Sequence, residues 1–300
     1  MIAVVVTFNR RELLLAALDA LDAQTRRPDA VIVVDNASTD ATADAVRARA
    51  GAVALHVLDR NTGGAGGFAY GMAAALRAAA DLIWLMDDDT IPEPDALEAL
   101  LAARAGYRGP RPALLASRVV WTDGRAHPMN TPRPKPMVGT DERAAAEAVS
   151  CIPVRSASFV SILVDAAVCR ARGGPVADYF LWNDDFEFTT RILRGSIGLL
   201  CPQSVVVHKT RTFGSTDVDP GDRFYYEVRN KIWLLTRSPS LAPLERLLYT
   251  GSTLRRWVRT IRASGDRATL WRALGRGVVA ALRHGPRSNE IVLAGTGYAG

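Results

Sequence analysis

Residues 81–89 read DLIWLMDDD, an apolar run that ends in three consecutive aspartates. Residues 81–86, which are apolar after Asp81, predict a buried strand, so Asp87, Asp88 and Asp89 stand at its carboxyl end. Adjacent carboxylates repel one another, and clustering them costs stability unless a cation neutralises them. A hard divalent ion such as Mg²⁺ or Mn²⁺ prefers oxygen ligands of this kind and bridges a diphosphate. The run therefore predicts a metal site at a strand end, with a solvated acidic turn as the alternative.

Three similar strands precede this one, and a helical pattern follows each of them. The strands are predicted over residues 2–7 (IAVVVT), 30–35 (AVIVVD) and 53–58. Strands that alternate with helices predict a mostly parallel sheet with helices on both faces, and such sheets bind ligands at the carboxyl ends of their strands. Asp35 and Asn61 also lie at or just past strand ends. The pattern predicts an α/β fold with a candidate site along one sheet edge.

A second group of acids opens a helix predicted over residues 182–194, which begins WNDDFE. Asp184 and Glu187 are three residues apart and so share one face of this helix, with Asp185 beside them. A carboxylate at a helix N-terminus is preorganised to accept a proton from an attacking hydroxyl group. Capping of the helix is the alternative, and capping accounts for one acid but not for three acids beside Trp182.

Two weaker signals belong to the same predicted edge. Residues 60–67 read RNTGGAGG ahead of a helix predicted over 68–79, and these glycines would let backbone N–H groups approach a phosphate or a sugar. A flexible loop gives the same string, which also differs from the dinucleotide-binding pattern G-x-G-x-x-G. His208 ends a strand predicted over 203–208. It is either a structural histidine or the imidazole that completes the shell of a metal ion.

Five blocks of sequence, taken in their order and spacing, resemble glycosyltransferase family 2. The resemblance covers most of residues 1–210 and implies a GT-A fold, a nucleotide-sugar donor and inverting transfer of the sugar. The ordered set carries the resemblance, rather than any single block. The blocks are VVVTFNRRELL from Val4, VVDNASTDAT from Val33, RNTGGAGGFAYG from Arg60, WLMDDDT from Trp84 and FLWNDDFEFTTRILRG from Phe180.

The resemblance implies a role for residues of each block. Around the nucleotide and sugar of the donor it implies contacts from Thr7, Asn9, Arg10, Asp35, Asn61, Gly64, Asp87 and Asp88. Around a metal cofactor, Mn²⁺ or Mg²⁺, it implies the ligands Asp87, Asp89 and His208. For the reaction it implies Asp185 as the base that deprotonates the acceptor, and on the acceptor side it implies Trp182, Asp184 and Glu187.

Within the family, the aspartate triplet and the GGAGGF loop look most like bacterial galactofuranosyltransferases, which transfer galactofuranose from UDP-galactofuranose to polyprenyl-linked or cell-envelope glycan acceptors. Variable loops at 122–150 and 209–222 are expected to build the acceptor pocket. Rhamnosyltransferases that use dTDP-rhamnose share the framework and are the first alternative. A nucleotidyltransferase usually carries a glycine-rich loop after its first strand, where this chain has TFNRREL. A binding protein with a decayed site is disfavoured because the acid clusters are intact.

The chain has 300 residues, enough for one large domain with an extension. We predict a catalytic domain over 1–221, in which 1–120 would bind the nucleotide sugar and 121–221 the acceptor. Residues 222–300 are predicted to form a basic helical region, in which Arg229 and its neighbour Asn230 are expected to approach the donor or the acceptor.

The basic character of the chain is concentrated near its C-terminus. Residues 246–287 hold ten arginines and one acid, a local charge of +9 in a chain whose net charge is +6. Helical spacing groups apolar Leu254, Trp257, Val258 and Ile261 opposite a basic face. Such helices either lie in an anionic membrane interface or pack on the catalytic domain. No nucleic-acid recognition motif is present, so nucleic acid is not an expected partner.

Other features bear on location and assembly. No signal-peptide pattern and no apolar run of about 20 residues, the length that spans a bilayer, is visible. The cysteines, Cys151, Cys169 and Cys201, are widely spaced and fit neither a zinc pattern nor a disulfide framework. We therefore expect a cytoplasmic protein; a peripheral position on the inner face of the cell membrane and a homo-oligomer are both left open.

Overall fold

The computed structural model describes residues 1–49, 51, 53–210, 213 and 219–300. Its first half alternates strands with helices, as the hydrophobic pattern predicts. All six residues of the first strand are buried, which accounts for its lack of polar side chains before Thr7. The elements are β1 (Ile2–Thr7), α1 (Arg11–Asp22), β2 (Ala30–Asp35), α2 (Thr42–Ala48), β3 (Val53–Val57), α3 (Gly63–Arg77) and β4 (Leu82–Asp87).

The second half mixes short strands and helices. The elements are β5 (Thr90–Pro92), α4 (Ala96–Gly106), β6 (Leu114–Val120), β7 (Arg133–Pro134), α5 (Thr140–Ala148), β8 (Ile152–Ser156), β9 (Ser161–Asp165), α6 (Ala166–Arg172), α7 (Asp184–Ile192) and β10 (Gly198–His208). The segment 122–150, expected to be a loop, contains β7 and α5, which Lys135 and Glu142 join through an ion pair of 2.7 Å. β10 begins before the expected residue 203 because it pairs with β6 on both sides of a register shift between Cys201 and Val205.

Ten strands of the described residues form one sheet in the order β3-β2-β1-β4-β9-β6-β10-β8-β7, with β5 pairing β10. Pairing is parallel along β3-β2-β1-β4 and between β6 and β10. It is antiparallel where β9 lies between β4 and β6, and at β5, β7 and β8. The expected parallel sheet is thus found in the first half of the chain, and the whole sheet is mixed.

The register of the parallel strands brings the candidate residues to one edge. Thr7 of β1 pairs with Asp35 of β2, and Val6 pairs with Asp87 of β4. β5 then pairs with the end of β10, opposite His208. Side chains from both halves of the sheet therefore meet at the carboxyl ends of β1, β2 and β4.

The glycine-rich segment is mostly helix rather than loop, because α3 begins at Gly63 and not at residue 68. Gly67 and Gly71 lie against β1. A Cβ on either would come within 2.4 Å of a Cγ1 atom, that of Val6 for Gly67 and that of Val4 for Gly71. These glycines therefore allow close packing of α3 on the sheet, which was not foreseen from the sequence.

The C-terminal residues pack on the rest of the chain as α8 (Phe224–Arg237), α9 (Pro243–Ala263), α10 (Arg267–Arg283) and α11 (Asn289–Val292). Helices α8, α9 and α10 share a core that includes Trp257 and Ile261. Beyond α11, Leu293 is fully buried in the main core beside α3, and Arg60 donates to the carbonyl groups of Val292 and Ala294, each at 2.9 Å. Among the described residues, no helix is both long and apolar enough to cross a membrane.

Candidate functional site

A cavity of about 470 Å³ opens at the sheet edge where β4 and β10 end and α7 begins. This volume is within the range of small-molecule sites. Of the residues singled out in the sequence, the cavity is lined by Arg10, Gly64, Asp87, Asp88, Asp89, Trp182, Asp184, Asp185 and His208. Those outside its lining are Thr7, Asn9, Asp35, Asn61 and Glu187.

Three of the lining residues form a group that can hold a metal ion. One potential ligand atom from each of Asp87, Asp89 and His208 lies within 4.8 Å of the other two. The sheet places them there because β5, which follows Asp89, pairs with the end of β10. His208 Nε2 lies 3.0 Å from Asp89 Oδ1. Two carboxylates and an imidazole suit a divalent ion such as Mn²⁺.

The electrostatics of the aspartate triplet favour the binding of a cation. Burial raises the pKa of Asp87 to about 7, and the neighbouring Asp89 adds to the rise. Burial also raises the pKa of Asp88 to about 6, although Arg10 opposes this. Arg10 Nη1 donates to Asp88 Oδ1 at 3.1 Å and to Asp89 Oδ2 at 2.7 Å. Arg10 thus offsets part of the charge of one half-buried and two buried acids, and a divalent ion would offset the rest.

The imidazole of His208 is oriented by a residue that sequence reasoning missed. His208 Nδ1 lies 2.9 Å from Asn130 Oδ1, and Asn130 Nδ2 donates to Ser158 Oγ at 3.2 Å. When Nδ1–H donates to Asn130, Nε2 is the nitrogen that faces Asp89 and a metal ion. Burial lowers the pKa of His208, but the hydrogen bond to Asp89 and the charges of Asp89 and Asp87 together outweigh burial and raise the pKa above its usual value. Asn130 lies in the segment 122–150, where no pattern singles it out.

At the ends of β1 and β2, three residues that were expected to bind the nucleotide-sugar donor form hydrogen bonds within the protein. Asn9 Oδ1 accepts a hydrogen bond from Thr39 N at 2.7 Å, and Thr7 Oγ1 donates to Asp88 Oδ2 at 2.7 Å. Asp35 is fully buried, and its Oδ1 accepts from Ser38 N at 2.9 Å. Its other carboxylate oxygen, Oδ2, is buried without a hydrogen-bond partner among the described residues. Asp35 therefore retains an acceptor that a ligand could use.

Two residues near α3 were expected to bind the nucleotide-sugar donor, and they occupy different structural positions. Asn61 Oδ1 accepts a hydrogen bond from Gly63 N at 2.8 Å, so its side chain stabilises the turn that starts the helix. Gly64 lines the cavity, and a Cβ built on it would meet no atom within 4 Å. Gly64 thus leaves open space at the cavity wall, whereas Asn61 shapes the backbone behind it.

The loop before α7 has a strained backbone. Phe180, Trp182 and Asn183 have positive φ angles of 61°, 66° and 64°. Such conformations cost about 1–3 kcal/mol each in non-glycine residues, so other contacts must hold them. Arg229 and Asn230 supply these contacts from α8, where their side chains bond to backbone carbonyls and do not line the cavity. Asn230 Nδ2 donates to the carbonyl oxygens of Tyr179 at 2.8 Å, Leu181 at 2.9 Å and Trp182 at 2.9 Å. The expected approach of Arg229 and Asn230 to a ligand is therefore replaced by support of this loop.

Two adjacent carboxyl groups stand at the start of α7. Burial raises the pKa of Asp184 well above its usual value, and the charge of Asp185 adds to the rise. Burial also raises the pKa of Asp185, against the opposing effects of the Phe186 N–H group and Lys231. Phe186 N donates to Asp185 Oδ1 at 2.6 Å. Burial thus strongly disfavours the charged form of Asp184, and a raised pKa suits Asp185 to accept a proton.

Glu187 does not belong to this group, contrary to the expectation from helical spacing. Its Oε1 accepts from Arg191 Nε at 2.8 Å and from Ser238 Oγ at 2.6 Å. The i, i+4 ion pair with Arg191 and the contact with Ser238 keep Glu187 beside α6 and α8. Three-residue spacing gave the correct helix face but not the direction of the side chain.

One wall of the cavity comes from the C-terminal helices, through residues that were not predicted. Phe224, Glu227 and Lys231 of α8 contribute to it, with Arg256, Trp257 and Thr260 of α9. Glu227 Oε2 accepts from Asn183 Nδ2 at 2.8 Å, while its Oε1 accepts from Trp257 Nε1 at 3.1 Å and from Arg256. The basic helical region thus completes the site and contacts the loop before α7.

Comparison with known proteins agrees with this architecture. Residues 2–108 match the model of "Glycosyl transferase family 2". Galactofuranosyltransferase GlfT1 of Mycobacterium tuberculosis H37Rv is 30% identical over 257 residues, which are 81% of this chain and 84% of that protein. GlfT1 of Mycolicibacterium smegmatis is 32% identical over 198 residues, 65% of this chain and 66% of that protein.

Solved structures show the fold. S. aureus TarS 1–349 in complex with UDP-GlcNAc aligns with a TM-score of 0.61 at 17% identity, over 93% of this chain and 81% of that one. In a longer TarS structure the chain spans about half of the length, 48%. Mannosyltransferase PcManGT from Pyrobaculum calidifontis, in complex with GDP-Man and Mn²⁺, aligns with a TM-score of 0.52 at 18% identity, over 94% and 86%. The fold is the GT-A fold, and together with the sequence relatives it shows that the chain is a glycosyltransferase that belongs to glycosyltransferase family 2.

Proposed function

We propose that this enzyme transfers galactofuranose from UDP-galactofuranose, with inversion, to a hydroxyl group of a polyprenyl-linked or cell-envelope glycan. The observation that carries the proposal is the shared cavity, which is lined both by the group of Asp87, Asp89 and His208 and by Asp185. The choice of sugar is supported by the names of the relatives, which are galactofuranosyltransferases. Transfer of a sugar from a nucleotide sugar needs a site for the diphosphate and a group that accepts the proton of the acceptor hydroxyl. The cavity offers residues suited to each.

On the donor side, Asp87, Asp89 and His208 would hold Mn²⁺ or Mg²⁺, which when bound would neutralise charge on the diphosphate. Arg10 lies next to this group and would add a positive charge beside the diphosphate, with Asp88 and Thr7 fixing its position. We assign the unsatisfied Oδ2 of Asp35 to a donor group of the uracil or ribose. Asn9, Asn61 and Gly64 would shape the pocket around the nucleotide through the turns that they support or leave open.

On the acceptor side, we assign the role of base to Asp185. The acceptor hydroxyl oxygen attacks the anomeric carbon, the bond from that carbon to the UDP oxygen breaks, and the hydroxyl proton moves to the Asp185 carboxylate. Asp184 would stay protonated beside it, because its burial disfavours a second charge. Trp182 lines the cavity and offers an aromatic face against which a sugar ring can pack. In the segment 209–222, expected to build the acceptor pocket, residues 211, 212 and 214–218 lie outside the described residues.

The first prediction concerns the donor. We expect UDP release from UDP-galactofuranose to exceed release from UDP-galactopyranose, UDP-glucose and UDP-GlcNAc, and dTDP release from dTDP-rhamnose, by at least about tenfold. Nucleotide release is measured for each donor with Mn²⁺ and with a chelator. A preference for dTDP-rhamnose would identify a rhamnosyltransferase instead. Formation of a nucleotide sugar from UTP and a sugar phosphate would indicate a nucleotidyltransferase.

We also propose a peripheral contact between α9 and the inner face of an anionic membrane. The structure divides the apolar residues of this helix: Trp257 and Ile261 are buried, whereas Leu254 and Val258 are 54% and 49% exposed. The exposed residues continue a stripe at helical spacing that also contains Leu244, Leu247 and Leu248, at 61–70% exposure. Arg255, Arg259 and Arg262 border a shallow groove with Leu254 and Val258. Apolar side chains flanked by arginines suit an anionic lipid interface.

The second prediction tests this membrane contact. The double substitution Leu247→Ser and Leu248→Ser should weaken binding to vesicles of phosphatidylcholine and phosphatidylglycerol about tenfold or more, because two leucines would no longer enter the interface. Co-sedimentation measures the bound fraction, and Ile152→Ser, which changes an exposed apolar residue of β8 outside α9, is the control. Point substitutions are preferable to deletion of 246–300, since that segment contributes to the cavity and the core. Equal binding of the double variant and wild type would leave only the packing role of α9.

A further inference from the structure

The cavity holds a second cationic region, apart from Arg10 and the aspartate triplet. Arg133 of β7 and Lys231 of α8 both line the cavity next to Asp185. The Arg133 guanidinium lies 5.2 Å from the centre of the Phe186 ring, and the Lys231 ammonium lies 4.9 Å from it. Two elements that are far apart in sequence therefore each bring a positive charge close to the ring of Phe186.

The ammonium group of Lys231 lacks a partner of its own. The residue is 7% exposed, and among the described residues no carboxylate lies within ion-pair distance and no hydrogen bond is formed. The nearby acid, Glu227, is already bound by Asn183, Trp257 and Arg256. A buried charge without a partner is costly, so a ligand that supplies a negative charge would be favoured.

The second cation, Arg133, also lines the cavity and is likewise available to an anion. Its guanidinium carbon lies 5.2 Å from the centre of the Phe186 ring and 5.5 Å from that of Tyr249, and among the described residues it forms no ion pair. A cation–π contact of this kind leaves the guanidinium N–H groups available for bidentate bonding to a phosphate. Neither cation is bound to Asp185, whose Oδ1 accepts from the backbone of Phe186. The pair is therefore available for another anion.

We infer that Arg133 and Lys231 form a subsite for a phosphate or diphosphate group carried by the acceptor. This inference rests on the proposed function, in which Asp185 receives the proton of the acceptor hydroxyl. The diphosphate of the donor has its own site at Arg10 and the group of Asp87, Asp89 and His208. Because Asp185 is the proposed base for the acceptor, cations beside it would lie on the acceptor side of the cavity, and the anion that they bind would be one that the acceptor carries.

The third prediction uses a simple probe in place of the acceptor. Octyl diphosphate is titrated calorimetrically into the full chain saturated with UDP and Mn²⁺, so that the donor diphosphate site is filled. We expect it to bind at least about tenfold more tightly than octyl glucoside, which has the same alkyl chain and no charge. Lys231→Met and Arg133→Gln should each weaken its binding about tenfold to a hundredfold, since each removes a charge-assisted contact. Arg111→Gln, an exposed arginine that does not line the cavity, should bind as wild type does.

Three outcomes would overturn the inference. If UDP and Mn²⁺ abolish octyl diphosphate binding, the anion belongs to the donor site. If both variants bind like wild type, or if octyl glucoside binds equally well, no such subsite exists. Arg133 is exposed, so its variant keeps the test informative even if Lys231→Met fails to fold, which thermal unfolding detects. Because this readout is binding and not turnover, it separates failure of the subsite from failure of the donor assignment.

Discussion

Replacing Asp185 with asparagine should lower kcat about 10³- to 10⁴-fold while changing the Kd of UDP-galactofuranose less than about threefold. The amide has nearly the same size as the carboxylate but cannot accept the proton of the acceptor hydroxyl. Donor binding should persist because the residues that would hold the diphosphate, Asp87, Asp89 and His208, are unchanged. Steady-state transfer and calorimetric donor binding measure the two quantities. Full activity of the variant would remove Asp185 from the proposed mechanism.

Glu187→Gln is the matched control for this substitution. Glu187 lies two residues further along α7 but bonds to Arg191 and Ser238 and does not line the cavity. We expect its loss to lower the thermal midpoint of unfolding, because a buried ion pair is broken, while kcat changes only a few-fold. A large loss of kcat without a loss of stability in this variant would show that the acceptor side extends to Glu187.

The pH dependence of transfer should follow the environment of Asp185. Burial raises the pKa of Asp185, so the base is protonated, and inactive, at pH values where an exposed aspartate is already charged. Activity should therefore rise with pH through a pKa above the usual aspartate value of about 3.9. Lys231→Met removes a neighbouring cation that favours the charged form, so the same variant should move this limb to still higher pH.

The sheet edge was predictable because local patterns determine it. Apolar strands followed by helices specify a parallel sheet, and the carboxyl ends of such strands must align, so Asp35 and Asp87 could be assigned to one edge before any contact was known. His208 could be assigned to the same edge only through a strand end, and its pairing opposite β5 came from the structure. The cluster of acids at the start of α7 drew attention to Asp185 and to its neighbour Trp182, and both line the cavity.

The remaining parts of the site depend on contacts between distant segments, which no local pattern encodes. Asn130 meets His208 across 78 residues, and Asn183 meets Glu227 across 44. The hydrophobic pattern of α8 predicts a packed helix equally well whether Lys231 faces solvent or the cavity. Helical spacing likewise gave the position of Glu187 but could not show that Arg191 and Ser238 would bind it.

Removing the divalent ion with excess chelator should lower the rate of transfer by at least about 10²- to 10³-fold. Adding back Mn²⁺ or Mg²⁺ should restore the rate. The reason is the charge of the site, where Asp87 and Asp89 would face the diphosphate with Arg10 and His208 as the counter-charges among the described residues. Undiminished turnover in chelator would exclude the metal. Binding has a second readout, because Mn²⁺ at about 100 times its Kd should stabilise the fold by about 2.7 kcal/mol in thermal unfolding.

The loss of Mn²⁺ binding should be larger when a proposed ligand is replaced than when a residue that only orients that ligand is replaced. His208→Ala removes a proposed ligand and should abolish stabilisation by Mn²⁺, whereas Asn130→Ala removes only the partner that orients the imidazole and should weaken Mn²⁺ binding about 10- to 100-fold. The carboxylates raise the pKa of His208 in the metal-free protein, so a proton competes with the metal for Nε2. Mn²⁺ affinity should therefore rise with pH through that raised pKa and level off above it. An affinity that is flat across this range, or equal in the His208 and Asn130 variants, would show that the ion is held elsewhere.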